Sequence, residues 1–84
     1  MSKKIVIVGA LGYLGSELCK LYSGESWFHK VVAIDRRFVA ERVSQLKDWN
    51  IEFHQGHILD NEFLKRSLND ADLVYHQAGV TDVA

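Results

Sequence analysis

The 84 residues contain no proline, one cysteine, and no apolar run near the ~20 residues that a membrane span requires. The lone Cys19 excludes an internal disulfide and fits a reducing cytoplasm. Ten Lys and Arg stand against eleven Asp and Glu, for a formal net charge of −1, and the basic residues are scattered. Such a chain has no electrostatic footprint for nucleic acid or an anionic membrane. Met1-Ser2-Lys3-Lys4 leads straight into an apolar run, without the core of a signal peptide. There is no repeat, low-complexity stretch or linker, so residues 1–84 read as one small cytoplasmic domain. His29, His54, His57 and His76 have no metal-ligand spacing, and no nucleophile–base constellation is visible. Cys19 follows Leu18 with no histidine nearby to activate it, and reads as an inert packing or half-buried thiol.

What the chain does have is glycine in a particular place. Gly9, Gly12 and Gly15 directly follow Lys4-Ile5-Val6-Ile7-Val8, and Asp35 stands twenty residues beyond Gly15, closing the run Val31-Val32-Ala33-Ile34. Three glycines between an apolar strand and an amphipathic helix, with an acid after the next strand, suit a dinucleotide lying across the strand ends. The first allows a tight turn, the second lets backbone approach a pyrophosphate, and the third lets helix and strand pack closely. The helix N-terminus adds unpaired N–H groups and a partial positive charge. Asp35 is placed to accept from the adenosine ribose hydroxyls.

The rest of the pattern is regular. Residues 4–8 predict a buried strand, and 12–23 a helix with Leu14, Leu18, Leu21 and Tyr22 on one face and Gly24 at its end. Residues 31–35 predict a second strand, and 38–48 a helix carrying Val39, Val43 and Leu46. Ile51-Glu52-Phe53-His54 reads as a short alternating strand. Asp60 reads as the N-cap of a helix over 61–69 with Leu64 and Leu68 inward, and Leu73-Val74-Tyr75-His76 as a fourth strand. Alternating strands and helices imply right-handed crossovers and a parallel α/β sheet, with expected order 3-2-1-4 and helices on both faces.

With Gly56-His57-Ile58-Leu59-Asp60 after the third strand and His76-Gln77-Ala78-Gly79 after the fourth, these motifs resemble the extended short-chain dehydrogenase/reductase family. More narrowly, they resemble the N-terminal portion of its NAD-dependent nucleotide-sugar epimerases and dehydratases. The resemblance covers the whole chain but about a quarter of a typical member. It implies a Rossmann-type sheet in which Gly9, Gly12 and Gly15, with the backbone of Tyr13 and Leu14, lie under the pyrophosphate. It implies that Asp35 holds the adenosine ribose, that His57 and Ile58 touch the adenine, and that Gln77, Ala78 and Gly79 pass beneath the ribose and the nicotinamide-side phosphate. Two positions depart from the family pattern. His57 replaces the acid that accepts from the adenine amino group, and Gln77 is polar where the pattern has Leu.

Asp35 favours NAD by repelling a 2′-phosphate, whereas Arg36 and Arg37 offer a bidentate grip on one. NAD is the expected cofactor, with NADP the alternative. The family's chemistry rests on a tyrosine with a lysine four positions later. Four residues after Tyr13, Tyr22 and Tyr75 stand Glu17, Ser26 and Gly79. The expectation is therefore a catalytically inert partial Rossmann domain lacking its substrate half, which forms a homodimer through an open fourth strand or uncovered apolar faces. Two other readings compete with it, a stand-alone nucleotide-binding or redox-sensing module and an interaction domain without ligand.

Overall fold

β-branched runs and helical stripes alternate along the chain, and the computed structural model arranges them as a parallel sheet. It describes residues 3–25, 28–57 and 59–76. The element order is β1 (Lys4–Val8), α1 (Tyr13–Tyr22), β2 (Lys30–Asp35), α2 (Ala40–Asp48), β3 (Glu52–Gln55), α3 (Asn61–Leu68) and β4 (Leu73–His76). All three strand pairings are parallel, in the order β3-β2-β1-β4 that the sequence predicts. Ile7 pairs with Ala33 of β2 and with Tyr75 of β4, so β1 is central.

Both faces of β1 and β2 are covered, which is why residues 5–8 and 31–34 are apolar at every position rather than alternating. Ile5, Ile7, Val31 and Ala33 pack with Cys19, Leu46 and Ile51, with Leu18, Tyr22 and Trp49 alongside. Val6, Val8, Val32 and Ile34 turn to the opposite face and meet Phe63, Leu68 and Ala71. Helices α1 and α2 thus cover one face and α3 the other.

The helical faces differ from the expected ones. In α1 the buried positions are Gly15 and Cys19, with Leu18 and Tyr22 half-buried, whereas Leu14 and Leu21 are 52% and 72% exposed. The helix has turned so that its smallest residue faces the backbone of Gly9 and Ala10, where the close approach leaves no room for a side chain. Cys19 is fully buried, and desolvation pushes its thiol up to about 12, consistent with an inert packing role. In α3, Phe63 and Leu68 pack inward and Ser67 is buried, while Leu64 belongs to neither core cluster. Gly24 does not supply a left-handed helix end, since the cap is Ser23 in right-handed geometry and Gly9 has the only positive φ among the described glycines. β3 begins one residue later than expected, and its burial does not alternate.

The end of α2 carries a signal the periodicity did not reveal. Asn50 adopts a left-handed φ of 59°, its N–H donates to Lys47 O, and the Ile51 N–H donates to Leu46 O at 2.8 Å. This is a Schellman-type stop with asparagine in glycine's place, and buried Leu46 and Ile51 supply its apolar contact. Asp60 caps α3 as expected, accepting from Phe63 N at 3.1 Å.

Candidate functional site

The site begins where β1 stops. Gly9 takes φ 80°, a conformation that suits a residue without Cβ, and turns the chain out of the sheet. The Gly9 and Ala10 N–H groups both donate to Ile34 O, at 2.8 and 3.0 Å, so the turn stays tied to the end of β2. Gly12 N–H then donates to Gly9 O and Ser16 N–H to Gly12 O, which closes the turn and opens α1. A Cβ on Gly15 would lie 2.7 Å from Ala10 Cα and closer still to Gly9 O. The third glycine is therefore required by backbone contact between α1 and the turn, with or without a ligand.

The N-terminus of α1 is distinct from those of α2 and α3. Its N-cap, Gly12, has no side chain to offer, and its first turn holds no acid. By contrast, α2 carries Glu41 and α3 carries Glu62 in their first turns, and α3 also has the Asp60 cap. Among the described residues, α1 is thus the helix with neither a side-chain cap nor a first-turn acid to balance its dipole and first-turn N–H groups. This donor set fits a pyrophosphate.

Asp35, the last residue of β2, is 5% exposed and accepts four hydrogen bonds. Oδ2 takes the Leu11 N–H at 2.9 Å and Arg37 Nη2 at 3.2 Å. Oδ1 takes the Arg37 N–H at 2.9 Å and Arg37 Nε at 3.2 Å. Burial alone would raise its pKa. The Arg37 side chain, the Arg37 and Leu11 backbone donors and the Arg37 charge outweigh that penalty and hold the carboxyl below its ordinary range.

Two residues that sequence reasoning did not place at the site hold this turn from α2 and α1. Arg42 Nη1 donates to Leu11 O at 3.0 Å and to Ser16 Oγ at 2.9 Å, and Ser16 Oγ donates to Ala10 O. Arg42 also lines a cleft of about 350 Å³ between α1 and α2, together with Lys20 and Gln45. No motif marks Arg42, because its role depends on how α2 is placed against the glycine turn.

The other predicted residues divide into two groups. Tyr13 and Leu14 form the exposed first turn of α1, directly after Gly12. Arg36 is exposed, and its carbonyl accepts from Gln55 Nε2, which joins the end of β3 to the end of β2. His57 is exposed, and its Nδ1 accepts the Leu59 N–H at 3.1 Å, so one ring nitrogen is engaged within its own turn. Ile58, Gln77, Ala78 and Gly79 lie outside the described residues. Among the described residues no group of three His, Cys, Asp or Glu could hold a metal ion, and no helix is long and apolar enough to cross a membrane.

The model of the NAD dependent epimerase/dehydratase family matches residues 5–84. A dTDP-D-glucose 4,6-dehydratase of Dictyostelium discoideum is 30% identical over 87 residues, which cover 96% of this chain and 20% of that protein. A UDP-glucuronic acid 4-epimerase from Bacillus cereus, solved with UDP-glucuronic acid and NAD, is 30% identical with a TM-score of 0.72 over 88% of this chain and 26% of its own. A dTDP-glucose 4,6-dehydratase from Bacillus anthracis, solved with NAD, shares the fold, with a TM-score of 0.77 over 98% of this chain and 28% of its own at 19% identity. The chain thus spans about a fifth to a quarter of the length of these relatives. It belongs to the NAD-dependent epimerase/dehydratase family and corresponds to that family's NAD-binding region.

Proposed function

We propose that this chain binds NAD as the cofactor-binding N-terminal part of a nucleotide-sugar epimerase or dehydratase. The observation that carries the reading is the uncapped, acid-free start of α1 at Gly12, hydrogen-bonded through Leu11 to the carboxylate that ends β2. Gly9, Gly12 and Gly15 with the first-turn backbone of Tyr13 and Leu14 would hold the pyrophosphate, and Asp35 the adenosine ribose. His57 and Ile58 would border the adenine, with Arg36 at the rim. Gln77, Ala78 and Gly79 would continue the site toward the nicotinamide. NAD supplies the hydride acceptor and donor in such chemistry.

Asp35 favours NAD over NADP, because a buried carboxylate opposes a 2′-phosphate. No tyrosine in the 84 residues has a lysine four positions later, so the chain alone would bind cofactor without turning over a sugar nucleotide. As a partial domain it would self-associate. Among the described residues β4 pairs only with β1, and Leu73 and Val74 are 42% and 39% exposed.

Calorimetric titration of the purified chain with NAD, NADP and ADP-ribose tests the binding reading. NAD and ADP-ribose bind and NADP binds more weakly if it holds. A folded protein that binds none of the three would have the fold without the cofactor function.

A further inference from the structure

We infer that Arg37 is a specificity-determining residue, whose guanidinium occupies the ribose-diol acceptors of Asp35 and is displaced when adenosine enters. The proposal rests on reading this region as an adenosine–pyrophosphate site. Each Asp35 oxygen accepts one backbone and one guanidinium hydrogen bond, from Leu11 N and Arg37 Nη2 on Oδ2 and from Arg37 N and Nε on Oδ1. A ribose presents two adjacent hydroxyls and needs a free acceptor position for each. The two backbone bonds are built into the turn and the strand end. The two guanidinium bonds come from a side chain that is 55% exposed, lying over a carboxylate side chain that is 4% exposed. Only Arg37 can yield.

Its reach extends beyond the carboxylate. Nη2 stands 3.6 Å from the point that a Cβ on Gly12 would occupy, so the guanidinium also lies across the approach to the glycine turn. An entering dinucleotide meets it on both counts. With Arg37 displaced, the Leu11 and Arg37 N–H groups still hold Asp35 in position. NAD therefore exchanges two charge-assisted bonds for two hydroxyl bonds and gains less than it would from an open carboxylate. A nucleotide carrying a 2′-phosphate also displaces Arg37, but offers it a new anionic partner. Arg37 thus weakens NAD while easing the repulsion between Asp35 and a 2′-phosphate, and so narrows the preference between the two cofactors.

The test compares the parent chain with R37Q by calorimetric titration with NAD and NADP. R37Q should bind NAD roughly three- to fivefold tighter, the range expected for an ion pair whose arginine is open to solvent, and NADP more weakly. The ratio of the two affinities should rise by about tenfold. A purely structural role would move both affinities together, and that outcome overturns the proposal, as does NAD affinity unchanged or weakened in R37Q. Should R37Q fail to fold, R37K keeps the charge without the fork, and its ratio should shift in the same direction by less. A ratio unchanged in R37K equally overturns the assignment. A folded parent that binds neither nucleotide removes the adenosine site itself, and the role of Arg37 with it. A parent that binds NAD beside an R37Q with an unaltered ratio removes only the role of Arg37.

Discussion

The carboxylate of Asp35 accepts the backbone N–H of Leu11 at 2.9 Å, so the end of β2 and the glycine turn form one hydrogen-bonded unit. Asp35→Asn keeps the shape but cannot accept with two anionic oxygens, and its NH2 group faces donors. A loss of about 2 kcal/mol at pH 7 is expected, within the range for buried hydrogen bonds to a charged group. The pH dependence follows from the lowered pKa of the folded carboxyl. Its stabilisation is complete above the unfolded value of about 3.9 and is lost as the pH falls below it. The parent–variant gap should therefore be full at pH 7 and shrink below about pH 4. Urea unfolding at pH 7 and pH 3 reads this directly. A gap of equal size at both would mean that the carboxylate charge contributes nothing.

Gly15 and Gly12 should separate folding from binding. A Cβ at Gly15 meets backbone of Ala10 at 2.7 Å and cannot be relieved by a side-chain shift, so Gly15→Ala should cost about 3 kcal/mol or more. At Gly12 the backbone has φ −75° and ψ 174°, open to any residue, and a Cβ would stand 3.3 Å from Gly9 O. Gly12→Val should cost only about 1 kcal/mol, yet abolish NAD binding by filling the space reserved for the pyrophosphate. Thermal unfolding and calorimetry on the two variants decide the matter. A folded Gly12→Val that binds NAD like the parent would remove the phosphate role from the turn.

Most of the architecture was legible because these signals are local. Buried β-branched runs, glycines at a spacing of three, Asp35 at a strand end and the Asp60 cap each mark an element without knowledge of its neighbours. The strand order follows from alternation and handedness. What escaped depends on packing. Helix α1 buries Gly15 and Cys19 rather than Leu14 and Leu21, because the close approach of α1 to the Gly9–Ala10 backbone overrides the pull of the larger side chains. The Asn50 stop was hidden because asparagine replaces the expected glycine. The fork of Arg37 onto Asp35 was hidden because adjacent arginines read equally well as a phosphate grip or as solvated charge. The link from Arg42 to Leu11 spans 31 residues and has no sequence signature.

That link carries its own expectation. Leu11 is held on both sides, its N–H by Asp35 and its carbonyl by Arg42, and Arg42 also fixes the Ser16 hydroxyl that bonds Ala10 O. Arg42→Met keeps the aliphatic stem over the cleft between α1 and α2 and removes both donors. Stability should fall by about 1 kcal/mol, the usual net contribution of such bonds. NAD affinity should fall by roughly three- to tenfold as the turn loses its preset geometry. The two effects are separable, since titration well below the unfolding temperature reports only folded protein. Unchanged affinity in a destabilised variant would make Arg42 a stability residue alone.

The open side of β4 leads to the last expectation, a homodimer. Parallel pairing with β1 engages one edge of Leu73–His76, and among the described residues no strand engages the other. The apolar side chains of Leu73 and Val74 remain substantially exposed beside those unpaired backbone groups. An edge of this kind is a template for another strand, and a second copy is the partner always present. Val74→Lys places a charge on that edge, the device by which sheet proteins block such pairing. Multi-angle light scattering at tens of micromolar should give about twice the 9.6 kDa chain mass for the parent and the single-chain mass for Val74→Lys. The variant should retain its helical and strand content, because Val74 lies on the face covered by α3 but is already 39% exposed. A monomeric parent would show that the exposed edge alone does not drive association. A parent dimer that survives the lysine would move the interface to another apolar surface, such as that of the exposed Leu14 and Leu21 on α1.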